Sequence, residues 1–166
     1  MRNILKTTIL ASMLSTVAVA GAAQAEVYYE LGATQISADI DNESISHFGA
    51  TGVVGTTLKA TEKFAHKVEA LAVIGLNSDK AYGLVDVKLQ SLIGAAYRPT
   101  LKLNDSVELH ARLGVFNGRV KASGFGMSES DSSTEVGFGV GVDFKKVSLS
   151  YLNVDDTNFI NATYRF

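Results

Sequence analysis

The chain has 166 residues, 15 of them basic and 17 acidic, and it contains no cysteine. That length suggests one domain. The missing thiols exclude a disulfide framework and any thiolate nucleophile or metal site.

Arg2 and Lys6 precede an apolar run over residues 9–20, and Ala23-Gln24-Ala25 forms a small-residue cleavage pattern. These features predict a secretory signal peptide over residues 1–25, with Ala23 and Ala25 marking the cleavage site. The apolar run falls short of the ~20 residues of a membrane helix, and no later stretch reaches that length. Residues 26–166 are the expected mature domain. Removing Arg2 and Lys6 leaves 13 basic against 17 acidic residues, a net charge near −4. No basic stripe remains to neutralise phosphates, so nucleic acid is not an expected partner.

The expected domain alternates at period two, the signature of strands with one oily and one wet face. Residues 26–37 set Val27, Tyr29, Leu31 and Ala33 against Tyr28, Glu30, Gly32 and Thr34. Residues 38–46 hold Asp39, Asp41 and Glu43 and predict a polar loop. The second strand, 47–59, has less distinct faces. The third, 64–76, opposes Val68, Ala70, Ala72 and Ile74 to Lys67 and Glu69, and a loop is expected over 77–83. The fourth, 84–103, places Val85, Val87, Leu89, Ile93, Ala95 and Tyr97 on one face and Asp86, Lys88, Gln90, Gly94 and Arg98 on the other. Pro99 falls near its end, where a missing N–H is tolerated. The fifth, 107–120, opposes Leu109, Ala111 and Leu113 to Glu108, His110 and Arg112.

Residues 121–133 predict the longest loop. The sixth strand, 134–144, alternates most sharply, with Val136, Phe138, Val140, Val142 and Phe144 between Gly137, Gly139, Gly141 and Asp143. Across the two-residue link Lys145-Lys146, Phe144 and Val147 should pair. The seventh strand is 147–153, and the eighth, 157–166, sets Ile160, Ala162, Tyr164 and Phe166 against Asn161, Thr163 and Arg165. Eight strands, most of them near the ~9–11 residues of a tilted transmembrane strand, predict an all-β fold: an eight-stranded antiparallel up-and-down transmembrane β-barrel.

The charges indicate which face is inside. A membrane barrel must turn Glu30, Lys59, Lys67, Glu69, Asp86, Lys88, Arg98, Glu108, His110, Arg112, Asp143 and Arg165 into its lumen and pair them there. The glycines of the sixth strand should leave room for Arg112 and Phe116. Aromatics should form two girdles, with Tyr29, Phe64, Tyr97, Phe144, Tyr164 and Phe166 near one end and Tyr82, Phe125, Tyr151 and Phe159 near the other. A soluble barrel binding an apolar ligand would instead turn Phe138, Val140 and Phe144 inward.

The signal peptide, the alternating strands, the Gly-x-Gly-x-Gly run at 137–141, Ala96-Tyr97-Arg98 and the closing Tyr164-Arg165-Phe166 resemble small outer-membrane barrels. The closest pattern is the OmpX/Ail-like group and the barrel part of outer-membrane protein A. The resemblance implies insertion by the barrel-assembly machinery, with Ala162, Tyr164 and Phe166 in the recognised strand. It also implies a structural, envelope-integrity or surface-contact role. Both termini should be periplasmic, with outer-membrane lipid and lipopolysaccharide as surroundings. Some relatives modify lipid A, and His110 with Ser148 or Ser150 and Glu108 or Asp143 is the one catalytic combination. It points into the lumen, so no catalytic residue is expected. The Asp39, Asp41, Glu43 pattern lacks the glycine and distal glutamate of a calcium loop. No metal or cofactor is expected, and the acidic outer loops could meet lipopolysaccharide phosphates through bridging cations.

Overall fold

A computed structural model describes residues 26–40, 43–81, 85–124 and 127–166. The expected signal peptide lies outside the described residues, as do Asp41, Tyr82 and Phe125. The strands are β1 (Val27–Ile40), β2 (Glu43–Ala60), β3 (Phe64–Gly75), β4 (Asp79–Ala81), β5 (Val85–Lys102), β6 (Val107–Gly124), β7 (Met127–Phe144), β8 (Val147–Val154) and β9 (Thr157–Arg165). Each pairs antiparallel with its neighbours. β3 and the short β4 both flank β5, so the nine segments make eight staves. β1 pairs with β9 from Glu30↔Arg165 to Ala38↔Thr157, and this closes the ring.

Closure leaves two kinds of side-chain environment. Leu31, Phe138, Val140 and Phe144 are each more than half exposed on the outer wall. Their outward direction excludes the soluble barrel with an apolar cavity. The six aromatics expected near the chain termini, Tyr29, Phe64, Tyr97, Phe144, Tyr164 and Phe166, all lie exposed on this wall. Phe159 does not join the opposite girdle. It is buried inside, with Ile36, Leu92, Phe116, Leu152 and Val154, in an apolar plug that fills the half of the lumen away from the termini. Phe116 fits there because Gly94 and Gly137 face its ring and a Cβ at either would collide with it.

Two expected loops are strands instead. β1 and β2 run to Ile40 and from Glu43, and β6 and β7 run to Gly124 and from Met127. These polar segments pair in continuous register, from Asn117↔Thr134 up to Ser123↔Ser128 in the second hairpin. Oily alternation marks only the part of a strand that has an apolar side to bury. Above that band the ladder continues on backbone hydrogen bonds, joined by polar side-chain contacts such as Asn117 Nδ2 donating to Thr134 Oγ1 (2.9 Å). Residues 77–83 likewise include a short strand, β4. At the other end Phe144 pairs with Val147 around Lys145, which holds φ at 54°.

Two bulges reverse the alternation. Pairing of β2 with β3 slips between Thr57 and Lys59, and pairing of β5 with β6 slips between Leu89 and Ser91. One extra residue in a strand sends every later side chain to the opposite face. Val87 and Leu89, expected on the oily outside, are therefore buried inside, and Asp86 and Lys88 turn out.

Substituting Gly137→Val should destabilise the barrel by about 1–3 kcal/mol, because a Cβ there would lie 2.8 Å from the Phe116 ring and 2.7 Å from Val154. Gly118→Ala should be near neutral, its nearest neighbour being Leu92 at 3.6 Å. Urea unfolding in micelles, followed by heat-modifiable migration, compares the two.

Candidate functional site

The terminal half of the lumen is charged. Arg98 extends from β5 and is fully buried. Its Nη1 donates to Glu30 Oε1 on β1 (3.1 Å) and Glu69 Oε1 on β3 (2.5 Å). Its Nη2 donates to both carboxylate oxygens of Asp143 on β7 (2.7 Å each) and to His110 Nδ1 on β6 (3.1 Å). Arg112 Nε donates to Glu69 Oε2 (2.7 Å). Arg165 Nη2 donates to Glu30 Oε1 (2.7 Å) and Asp143 Oδ2 (2.9 Å), so β9 is tied to β1 and β7. Three guanidinium groups thus meet three carboxylates, and the formal charge cancels. Lys67 and Glu108 form a neighbouring pair at 3.2 Å.

Neutral groups complete the network. Tyr28 donates its hydroxyl to Glu69 (2.8 Å), and the Arg165 Cζ lies 4.7 Å from the centroid of its ring. Thr163 donates to Glu30 Oε2 (2.9 Å). Buried charges are stable only when paired and hydrogen-bonded on every side. This cluster meets that condition by drawing on six different strands.

Of the residues expected in the lumen network, Glu30, Lys67, Glu69, Glu108, His110, Arg112, Asp143 and Arg165 are brought together. Lys59, Asp86 and Lys88 are not. Lys59 is exposed and pairs in register with the outward His66, beyond the β2 bulge. Asp86 and Lys88 stand on the outer wall beyond the β5 bulge. Neither slip has a glycine or proline to announce it: the unpaired residues are Leu58 and Gln90. Tyr28 and Thr163 were legible only as members of the wet face, and Arg98 only as one charge among many. Its place at the hub depends on which strands lie across the ring.

His110 is buried, with Nδ1 3.2 Å from Asp143 Oδ1. Among the described residues no hydrogen bond joins it to Ser148 or Ser150; Arg112 Nη1 donates to the latter at 3.4 Å. The nucleophile–base contact that hydrolysis would need is not formed. Ile160, Ala162, Tyr164 and Phe166 form the exposed outer row of β9 and its continuation. Phe166 N donates to Tyr29 O (3.0 Å), and its ring meets Tyr164 edge-on at 5.3 Å. Asp39 and Glu43 fall in strands rather than a loop. Among the described residues no cluster of three His, Asp or Glu side chains is arranged to hold a metal.

The outer wall away from the termini carries a second charged arrangement. Lys88 on β5 stands opposite Lys121 on β6, and Arg119, two residues along, stands opposite Ser91 and Ser132. All three point outward, beyond the apolar band that ends on these strands at Val115↔Val136. Among the described residues none has an ion-pair partner, although Asp86 shares their face.

Residues 7–165 match the model of the outer membrane protein beta-barrel domain family. The chain belongs to this family. It is 29% identical over 127 residues to the attachment invasion locus protein of Yersinia pseudotuberculosis serotype I (strain IP32953), covering 69% of this chain. It is 35% identical over 79 residues to the protein of that name from Yersinia enterocolitica, covering 41% of this chain. The chain spans 63% and 44% of the length of these two relatives. The crystal structure of Ail, the attachment invasion locus protein of Yersinia pestis, superposes with a TM-score of 0.62 at 21% identity, covering 84% of this chain and 97% of that one. Neisserial surface protein A gives 0.61 at 16% identity, covering 86% and 97%. Ail in complex with the heparin analogue sucrose octasulfate gives 0.61 at 22%, covering 86% and 99%. The family match establishes the outer-membrane β-barrel, and the superpositions show the same closed fold.

Arg98→Met should destabilise the barrel by about 3–5 kcal/mol, since it strands three carboxylates without their shared partner. Lys59→Gln, on the outside, should change stability by less than ~0.5 kcal/mol. Urea midpoints of the two variants in the same detergent separate lumen from wall.

Proposed function

We propose that this protein is a non-catalytic outer-membrane barrel that supports envelope integrity and surface contact by holding lipopolysaccharide against its wall. The observation that carries this reading is the outward Lys88–Lys121 pair with Arg119 beside it. Like charges placed directly opposite across a ladder repel. A phosphate seated between them reverses the sign of that interaction and gains charge-assisted hydrogen bonds. Lipid A phosphates lie at the edge of the hydrocarbon layer, where these side chains stand, and this contact needs no bridging divalent cation.

The orientation follows from connection lengths. The turns at the terminal end are short, and the extended hairpins lie at the opposite end, which is the arrangement of barrels with periplasmic termini and external loops. The domain is delivered by the signal peptide of residues 1–25. The outward row Ile160, Ala162, Tyr164 and Phe166 is the part read by the barrel-assembly machinery. The Ail complex with a heparin analogue favours a second ligand of the same chemistry, a sulfated polyanion, at the same patch.

Combined Lys88→Gln, Arg119→Gln and Lys121→Gln substitution should lower lipopolysaccharide retained per barrel severalfold after detergent extraction, with or without chelator. Retention equal to that of the wild type would remove the proposal, and competition by sucrose octasulfate would test the second ligand. Separately, Tyr164→Ala with Phe166→Ala should reduce the membrane-inserted fraction in cells. Normal insertion would show that this row is not an assembly signal.

A further inference from the structure

The outer wall near the chain termini carries a feature that neither the lumen network nor the cationic patch uses. β2 slips against β3 between Thr57 and Lys59. In an unbroken ladder Leu58 would stand opposite His66, and Lys59 opposite the inward Ala65. The slip instead sets Lys59 opposite His66, and Ala60 takes Ala65. Bulges at barrel rims re-aim particular side chains. This one moves an ammonium group from the lumen to the wall that faces lipid.

His66 is held in place there. It stands opposite Pro99 on β5, and its Nδ1 is hydrogen-bonded to the hydroxyl of Tyr97. The two rings stack, with centroids 6.0 Å apart and planes 12° from parallel. A phenol is the stronger donor of the two, so Nδ1 accepts and the ring proton sits on Nε2. Among the described residues this Nε2 has no partner, and the Lys59 ammonium has no ion pair, hydrogen bond or ring contact. The lysines of the β7–β8 turn differ, since Lys145 lies over the Phe144 ring and Lys146 over the Tyr164 ring. The outward neighbours of Lys59 and His66 are Leu58, Phe64, Val68 and Tyr97, with no carboxylate among them. Glu62 and Asp105 instead line a cavity at the turns with Lys63 and Lys102, which Lys59, His66 and Tyr97 do not border.

The wall beyond the pair is shaped as well. Past Val68, toward the middle of the barrel, the outward pairs include Ala70↔Ala95 and Gly52↔Ala72. Val54 and Ile93 stand exposed on either side of them. Small side chains between larger ones make a shallow furrow in the apolar wall. A free anion would satisfy the two donors and leave the furrow open. A phospholipid matches both, with its headgroup at the strand ends and a chain running toward the middle.

We propose that Lys59, His66 and Tyr97 form a binding site for an anionic phospholipid. Lys59 Nζ and His66 Nε2 hold its phosphodiester, and Tyr97 positions the imidazole. One acyl chain lies along Ala70, Ala95, Ala72 and Gly52. A net-negative headgroup such as phosphatidylglycerol is favoured over phosphatidylethanolamine, whose ammonium meets no carboxylate on this face. The choice of leaflet rests on the orientation proposed above, which turns this site to the periplasmic leaflet and the cationic patch to the lipopolysaccharide. The binding itself does not depend on it.

The test uses the full barrel in detergent micelles, carrying Lys88→Gln, Arg119→Gln and Lys121→Gln so that the outer patch does not compete. Phosphatidylglycerol and phosphatidylethanolamine with identical chains are added in equal amounts, and native mass spectrometry identifies the first lipid bound. Phosphatidylglycerol should be preferred about tenfold, from two charge-assisted contacts. Adding Lys59→Gln with His66→Gln should remove that preference while heat-modifiable migration stays normal. Tyr97→Phe changes no charge and should lower the preference about threefold. Ala70→Phe fills the furrow and should weaken binding of both lipids several-fold. Lys145→Gln with Lys146→Gln takes two charges from the same rim and should leave the preference intact. Survival of the preference in the Lys59 and His66 variant would overturn the site. Equal loss in the Lys145 and Lys146 variant would show attraction by rim charge alone and overturn it too. No effect of Tyr97→Phe would overturn the three-residue arrangement, and none of Ala70→Phe the seating of the chain. Because the patch variant is the starting point, lipopolysaccharide retention and phosphatidylglycerol preference fail separately.

Discussion

The closing of β1 against β9 is the constraint on which the rest of the structure depends. A sheet in hydrocarbon cannot leave N–H and C=O groups unpaired, because no water is present to bond them. The antiparallel register from Glu30↔Arg165 to Ala38↔Thr157 removes the last pair of edges within the oily band. Once the ring is closed the lumen has a fixed volume, and every inward side chain must find its partner within it. Glu30 and Arg165, paired in register on the two closing strands, are also bonded side chain to side chain at 2.7 Å.

The enclosed space is divided by chemistry. Near the termini it is a salt-bridged cluster centred on Arg98; farther along it is an apolar plug around Phe116 and Phe159. The cluster braces the ring across its diameter, and the plug fills the remainder by packing. An eight-stranded barrel has an interior just wide enough for side chains to fill. The protein accordingly presents its distinctive surfaces outside the lumen: on the wall, where Lys88 meets Lys121, and at the uneven rim, where β7 rises beyond β8 with only β6 beside it.

Edges are therefore treated differently at two heights. Within the membrane band all of them are paired. Above it, water can satisfy an unpaired strand edge, and β7 extends over residues 128–136 paired on one side only, with β6. The same change of solvent explains why sequence periodicity stops marking strands there. Ser128, Ser130, Ser132 and Thr134 alternate with Glu129, Asp131, Ser133 and Glu135, a pattern with no oily face, and it reads as a loop although its backbone is a ladder.

The sequence by itself determined the outer wall. Alternation over β1, β7, β8 and β9 identified the apolar and polar faces, and the charges on the polar face implied that the oily side faces outward. It also identified most of the lumen charges, because a residue on a regular strand keeps the parity of its neighbours. Only the tertiary structure decided where that parity fails. Leu58 and Gln90 are ordinary strand residues, and whether one of them bulges depends on the register of the adjacent strand. Those two slips put Lys59 and Lys88 outside and Leu89 inside. Tertiary structure alone likewise made Arg98 the hub, since its carboxylates come from β1, β3 and β7, brought within reach only when the ring closes.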